Sequence, residues 1–198
     1  MDRIADFIHA VELRMEQHLV DCEDRRDGFV SSDLDAVRGT LVALLESSEL
    51  DGRVFCEWGS AMGGVAGVAA AVGFEAYGIE LQSALVDGAR AVTSEFGWNA
   101  TFAVGTFVPE SAREWTLSSE YVWWDDRLPP GYEELGIDLD DCDVVYAYPW
   151  PGEEEVVDAI FTAEAHERAI LVTNHGSSGF RWARRAADGD GLEVLRWC

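Results

Sequence analysis

Between Arg53 and Phe107 short runs of strand character alternate with longer helical ones, and this alternation constrains the fold more than any other feature. "RVFCEW" (53–58) reads as a buried strand, and "GGVAGVAAAVG" (63–73) as a helix of very small side chains. "EAYGIEL" (75–81) is again strand-like, "SALVDGARAVTSEFG" (83–97) helical, and "ATFAVGTF" (100–107) a strand. A strand-helix-strand-helix-strand order predicts a parallel sheet with right-handed crossovers and helices on both faces.

Two amphipathic helices precede this unit. Ile4, Phe7, Ile8, Val11, Met15, Leu19 and Cys22 draw one stripe, which the stretch from Asp24 to Gly28 breaks. Leu34, Val37, Leu41, Leu44 and Leu45 draw a second, with Ser31 and Ser32 as candidate N-caps. Residues 1–50 are therefore expected to be a helical extension of the same domain covering the substrate pocket, and 51–198 the α/β body. The pattern blurs from Val108 to Asp141, where "WWDDRLPPGYEELG" mixes aromatics, acids and prolines; it reads as an irregular crossover over the sheet edge with a short helix at Ser111 to Trp115. "DVVYAYPWP" (143–151) resumes as a strand stopped by prolines, "EEEVVDAIFTAEAHE" as a helix with an acidic first turn, and "AILVTNHG" (169–176) as a strand. The tail predicts a helix around Phe180 to Ala187 and a final strand in "LEVLRWC".

Composition narrows the chemistry. A length of 198 residues suits one domain. The 38 acidic residues face 14 basic ones, all Arg, for a formal charge of -24. Without lysine, a Schiff base and a P-loop phosphate grip are excluded. So negative a surface repels a phosphate backbone, which disfavours nucleic-acid partners. The four cysteines, Cys22, Cys56, Cys142 and Cys198, are isolated in sequence and suggest neither a zinc site nor a disulfide framework. No signal-like segment or membrane-length apolar run is present, so a cytoplasmic location is expected.

The turn "EWGSAMGG" (57–64) interrupts the core with residues too small to pack well. In an open parallel sheet, ligands bind beyond the carboxyl ends of the strands, where small residues admit a ligand and the next helix offers free N–H groups. Glu57, Gly59, Ala61 and Gly63, with Glu80 ending the next strand, resemble the motifs of the class I S-adenosylmethionine-dependent methyltransferases. The resemblance runs from about Arg53 to Gly176 and implies a Rossmann-like, doubly wound α/β fold. It implies that Gly59, Ser60, Ala61 and Gly63 wrap the methionine and ribose, that Glu57 holds the α-amino group, and that Glu80 accepts the ribose hydroxyls. At the third strand the family often carries an acid facing adenine; here Gly105, Thr106 and Phe107 stand instead, with Phe107 a stacking candidate.

In this fold the fourth strand's end faces the donor methyl, and here it reads "YAYPWP" (146–151). It lacks the Asn or Asp with which enzymes methylating DNA bases orient their target. Tyr148 and Trp150 are candidates for an aromatic wall around an acceptor, His175 for its proton acceptor, with Tyr148 beside it, and Asn174 for orienting it. Asp125 and Asp126 with Glu133 or Glu134 read as a solvated acidic loop, so no metal is expected. The expected activity is methyl transfer to a small-molecule or protein acceptor, which the sequence does not identify; nor does it give an oligomeric state. Two rival readings are a nicotinamide-dinucleotide oxidoreductase, from the G-x-A-x-x-G spacing of Gly59, Ala61 and Gly64, and a catalytically silent scaffold.

Overall fold

A computed structural model describes residues 2–21, 31–116, 128–189 and 191–198. The described elements are α1 (Arg3–Asp21), α2 (Leu34–Glu46), β1 (Val54–Trp58), α3 (Gly64–Val72), β2 (Glu75–Glu80), α4 (Ser83–Phe96), β3 (Ala100–Val104), α5 (Arg113–Thr116), α6 (Tyr132–Leu135), β4 (Val144–Ala147), α7 (Glu154–Glu164), β5 (Ile170–Asn174), β6 (Phe180–Arg185) and β7 (Leu192–Trp197). Cys22, the stretch from Asp24 to Gly28, and Asp125 with Asp126 lie outside the described residues.

One seven-stranded sheet runs in the order β3-β2-β1-β4-β5-β6-β7. The first five strands are mutually parallel, and β6 and β7 are antiparallel to their neighbours. The order reverses between β1 and β4, so the ends of these strands flank the crevice that such a sheet offers a ligand. One apolar layer joins Phe55, Phe102, Tyr146 and Val172 of the sheet to α1, α2, α3 and α4. The other joins Cys56, Ile79, Val145 and Leu171 to α6 and α7. Helices thus cover both faces, as the alternation requires.

The N-terminal helices are integral to the first layer. Phe7 of α1 is wholly buried, lies over Gly67 of α3, and packs against Phe96 and Trp98. A Cβ built on Gly67 would stand 2.2 Å from Phe7 Cζ, so the glycine is what lets the two helices approach.

Three expectations change. Asp33, not Ser31 or Ser32, caps α2, accepting from the Ala36 N–H at 3.0 Å, because Ser32 is turned toward the sheet. The tail from Phe180 is a strand: Phe180 and Trp182 are both buried, a two-residue period, and a turn at residues 175–179 folds β6 back onto β5. Gly176 and Gly179, at φ 59° and 87°, make that turn. Within the irregular crossover, α6 presses Tyr132 and Leu135 into the second layer.

Candidate ligand-binding cleft at the β1 turn

The turn after β1 is a crook built on left-handed backbone. Gly59, Ala61 and Gly63 have φ of 74°, 45° and 72°. Alanine rarely adopts this conformation and holds it only where its surroundings fix it. Here the Gly59 and Ser60 N–H groups both donate to the Ile79 carbonyl at 2.9 Å, and the Gly63 N–H to the Ser60 carbonyl at 2.7 Å. The Ala61 N–H donates to Glu80 Oε2 at 2.9 Å. Glu80 is therefore turned in toward the crook, and its other oxygen accepts from the Gln82 N–H at 3.0 Å. A carboxylate offers about four lone-pair sites, so capacity for further donors remains.

Glu57 sits beneath the same turn, 6% exposed, with Oε2 accepting from the Ala66 N–H in the first turn of α3 at 2.8 Å. That N–H, expected to be free for a ligand, is thus already capped. Burial holds the Glu57 carboxyl well above the ordinary carboxylate range; the Ala66 N–H pulls it down and nearby Glu80 pushes it up. Burial also raises Glu80, against the N–H groups of Gln82, Ala61 and Leu81. Ser60 Oγ is buried and has no hydrogen-bond partner among the described residues. Where a Cβ would stand on Gly59 there is open space, whereas one on Gly63 would strike Ala89 and Phe102 at 2.7 Å. The crook is therefore closed toward the core and open toward the cleft.

That cleft holds about 530 Å³ of empty space counted out to its open mouth, part of it solvent. Glu57, Gly59, Ser60 and Ala61 form its floor, with Met62, Gly64 and Val65. Val11, Glu12 and Met15 of α1 form one wall, Ser31, Ser32 and Leu34 another, and Tyr146 and Tyr148 a third. Behind this last wall Asn174 is 4% exposed and fully engaged. Its Oδ1 accepts from the Gly176 N–H at 2.8 Å, which orients the amide, and Nδ2 donates to Tyr146 Oη at 3.0 Å and to Ser32 Oγ at 3.3 Å. Ser32 and Tyr146 share one hydrogen bond at 2.9 Å. Two hydroxyls sharing one bond, each also accepting from the amide, leave one O–H proton over, and both residues line the cleft. Burial raises the Tyr146 phenol, so its proton stays on.

Of the residues singled out in sequence, the structure brings Glu57, Gly59, Ser60, Ala61 and Tyr148 to the cleft and sets Glu80 against the crook. Several others are placed elsewhere. Asn174 supports Tyr146 from behind rather than facing a ligand. His175 lies against Thr173 Oγ1, 2.8 Å from Nε2, and Trp197, with ring centroids 5.2 Å apart; burial and then Arg181 lower its pKa. It is not among the cleft walls, nor is the exposed Trp150. Thr106 is buried, its Oγ1 accepting from the Val108 N–H at 3.2 Å, and Phe107 stacks on Trp58 at 4.7 Å and 7° rather than standing clear for an adenine. A strap at Pro129 to Gly131 closes over this strand end: the Thr106 N–H donates to the Pro129 carbonyl and the Gly131 N–H to the Thr106 carbonyl. Sequence reasoning missed Glu12, Met15, Ser32 and Tyr146 as cleft residues. Tyr146 was legible as a strand-end aromatic, whereas no local pattern marks a helix residue that roofs a distant turn.

Among the described residues no group of three or more His, Cys, Asp or Glu is arranged to hold a metal, and no helix is long and apolar enough to cross a membrane. Cys56, Cys142 and Cys198 are free thiols.

No protein-family model and no curated protein sequence matches the chain. Solved structures do. An RNA methyltransferase from Salinibacter ruber, in complex with S-adenosyl-L-homocysteine, superposes with TM-score 0.51 at 19% identity, over 73% of this chain and 76% of that one. A Staphylococcus aureus protein assigned provisionally as a caffeoyl-CoA O-methyltransferase gives 0.50 at 14% identity, over 83% of this chain and 65% of that one, so less than two thirds of its length is spanned.

Proposed function

On this Rossmann-like methyltransferase fold, we propose that the chain is an S-adenosylmethionine-dependent methyltransferase. The observation that carries the reading is the crook itself: left-handed backbone open toward the cleft, with the Glu57 and Glu80 carboxylates set against it from two adjacent strands. The open face of Gly59 fits a ligand pressed close to the backbone. In this reading Glu57 holds the α-amino group, Glu80 takes ribose hydroxyls with its remaining lone pairs, and Gly59 to Gly63 wrap the methionine portion. When bound, the donor supplies a methyl group on a sulfonium, for in-line displacement by a nucleophile. The residues' task is then alignment and exclusion of water.

Helices α1 and α2, with the segment before α2, roof the acceptor side, and Tyr148 faces the acceptor. The acceptor is a small molecule or a protein side chain; the charge of -24 opposes a nucleic-acid backbone. Calorimetry with S-adenosylhomocysteine tests the cofactor assignment. Binding is expected in the wild type and at least tenfold weaker in Glu80→Ala, since one good charge-assisted bond is worth about 1.5 kcal/mol or more. No heat and no thermal shift at millimolar ligand would overturn it.

A further inference from the structure

Strand β7 ends the sheet, and among the described residues no strand pairs with its outer edge. Its ladder with β6 tells which backbone groups face outward. Phe180 and Cys198 exchange two hydrogen bonds, at 2.8 and 3.0 Å, and the Ala186 N–H donates to the Gly191 carbonyl at 3.0 Å. Bonded and non-bonded pairs alternate along an antiparallel ladder, so Leu192, Val194 and Trp197 turn their N–H and C=O groups away from β6. Two residues separate the last two because Leu195 lies in a bulge: Ala183 pairs with Val194 and Trp182 with Arg196. Trp197 lies opposite Arg181, which reaches Asp158 of α7, so Leu192, Val194 and Trp197 share the α7 face of the sheet. Glu193 and Arg196 lie on the other face, where Arg196 covers the Trp182 ring. Val194 is 49% and Trp197 52% exposed, and Glu193 and Arg196 are exposed too.

An open edge is a template for another strand, and charged side chains usually guard it. Here the two charges have opposite signs, so an edge that pairs with itself can bring them together. An antiparallel pairing about Val194 sets that residue against its own counterpart on a twofold axis. In regular strands residue 193 would then meet 195, and 192 would meet 196. The bulge adds one residue to each copy, so Glu193 meets Arg196 of the other copy and Leu192 meets Trp197. Leu192 with Trp197, and Val194 with itself, then become the bonded pairs that the outward backbone groups require. Opposite charges fall on one face and apolar side chains on the other. Leu192 also borders an open groove beside α7, whose rim the Trp197 of the other copy covers. We propose that β7 is a dimer interface, at which a second copy of this chain adds its own β7 antiparallel and the sheet continues across both copies. Each copy carries a charge of -24, so association depends on salt to mute the repulsion between them.

Sedimentation equilibrium in about 0.1 M sodium chloride tests this. A screening length of about 10 Å there mutes the repulsion between the two bodies but leaves cross-strand pairs about 5 Å apart in force. The wild type is expected at twice the mass of the 21.8 kDa chain. Glu193→Arg and Arg196→Glu, each alone, set like charges opposite one another at two symmetry-related places, and should raise the dissociation constant about tenfold or more. An equimolar mixture of the two variants regains both opposite-charge pairs, with the same total charge as the wild-type dimer, and should dimerise nearly as tightly. Such recovery also shows that the single variants are folded. Val194→Lys, which sets two ammonium groups on the axis, should dissociate the dimer while the melting temperature of the single chain holds. A wild-type dissociation constant above about 0.1 mM overturns the proposal. So does a dimer that none of the single variants weakens, or a loss in both charge variants that their mixture does not recover.

Discussion

At the residue scale, Glu57 carries a stability cost at the position proposed to hold the cofactor's amino group. Its carboxyl is buried and its pKa raised from 4.5 in the folded chain, so the folded state prefers the proton more than the unfolded state does. The contribution to stability is therefore full below pH 4.5 and is lost as pH rises through the higher folded value. Glu57→Gln keeps an oxygen for the Ala66 N–H and removes the ionisation. It should raise the melting temperature at pH 7, with the gain shrinking toward zero near pH 4.5, while S-adenosylhomocysteine binding weakens. Melts at the two pH values check this; a variant less stable than wild type at pH 7 would contradict it. Glu57 and Glu80 were legible in the sequence because they match the acidic positions of the methyltransferase motifs at strand ends, and the structure sets one under the turn and the other against it. Thr106, Phe107 and His175 were placed by the same positional logic, but their side chains are engaged with Val108, Trp58 and Thr173, contacts that no spacing reveals.

At the scale of elements, the small side chains of α3 exist for approach. In Gly67→Ala the methyl would collide with Phe7, which Phe96 and Trp98 hold in place. Overpacking costs about 1–3 kcal/mol, against a gain of about 1 kcal/mol in helix propensity, so a net loss of up to about 2 kcal/mol is expected in the urea midpoint. A stabilised variant would show that α1 is loosely seated. The strand and helix order of the first five strands was readable because period and length agree in each segment. The stretch "FRWARRA" was not: its arginines break the two-residue apolar pattern, and only pairing with β5 and β7 decides the strand. Arg181 reaches Asp158, Arg184 reaches Glu49 at 3.3 Å, and Arg196 lies over Trp182, so the charges are accommodated by neighbours far away in sequence.

Taken whole, the molecule carries a self-repulsion that its ion pairs offset only locally. Salt shortens the reach of these forces from about 30 Å at 0.01 M to about 3 Å at 1 M. Because net charge of -24 is spread over a 198-residue chain, screening relieves more repulsion than it removes from exposed pairs such as Arg14 with Glu95. The melting temperature should rise by several degrees between 0.01 M and 1 M sodium chloride, on the scale of about 2–4 °C per kcal/mol for a chain of this length. A steady fall with salt would mean that the pairs dominate.

The hydroxyl pair in the cleft wall joins residues from three distant parts of the chain, since Ser32 meets Tyr146 and both meet Asn174. During synthesis α1 and α2 therefore emerge before the elements on which they pack. Until α3 and α4 have emerged, the apolar faces of α1 and α2 lack much of their seat, and the hydroxyl pair finds its amide only after residue 174. The interval in which those faces stay bare is when a chaperone would have most to hold.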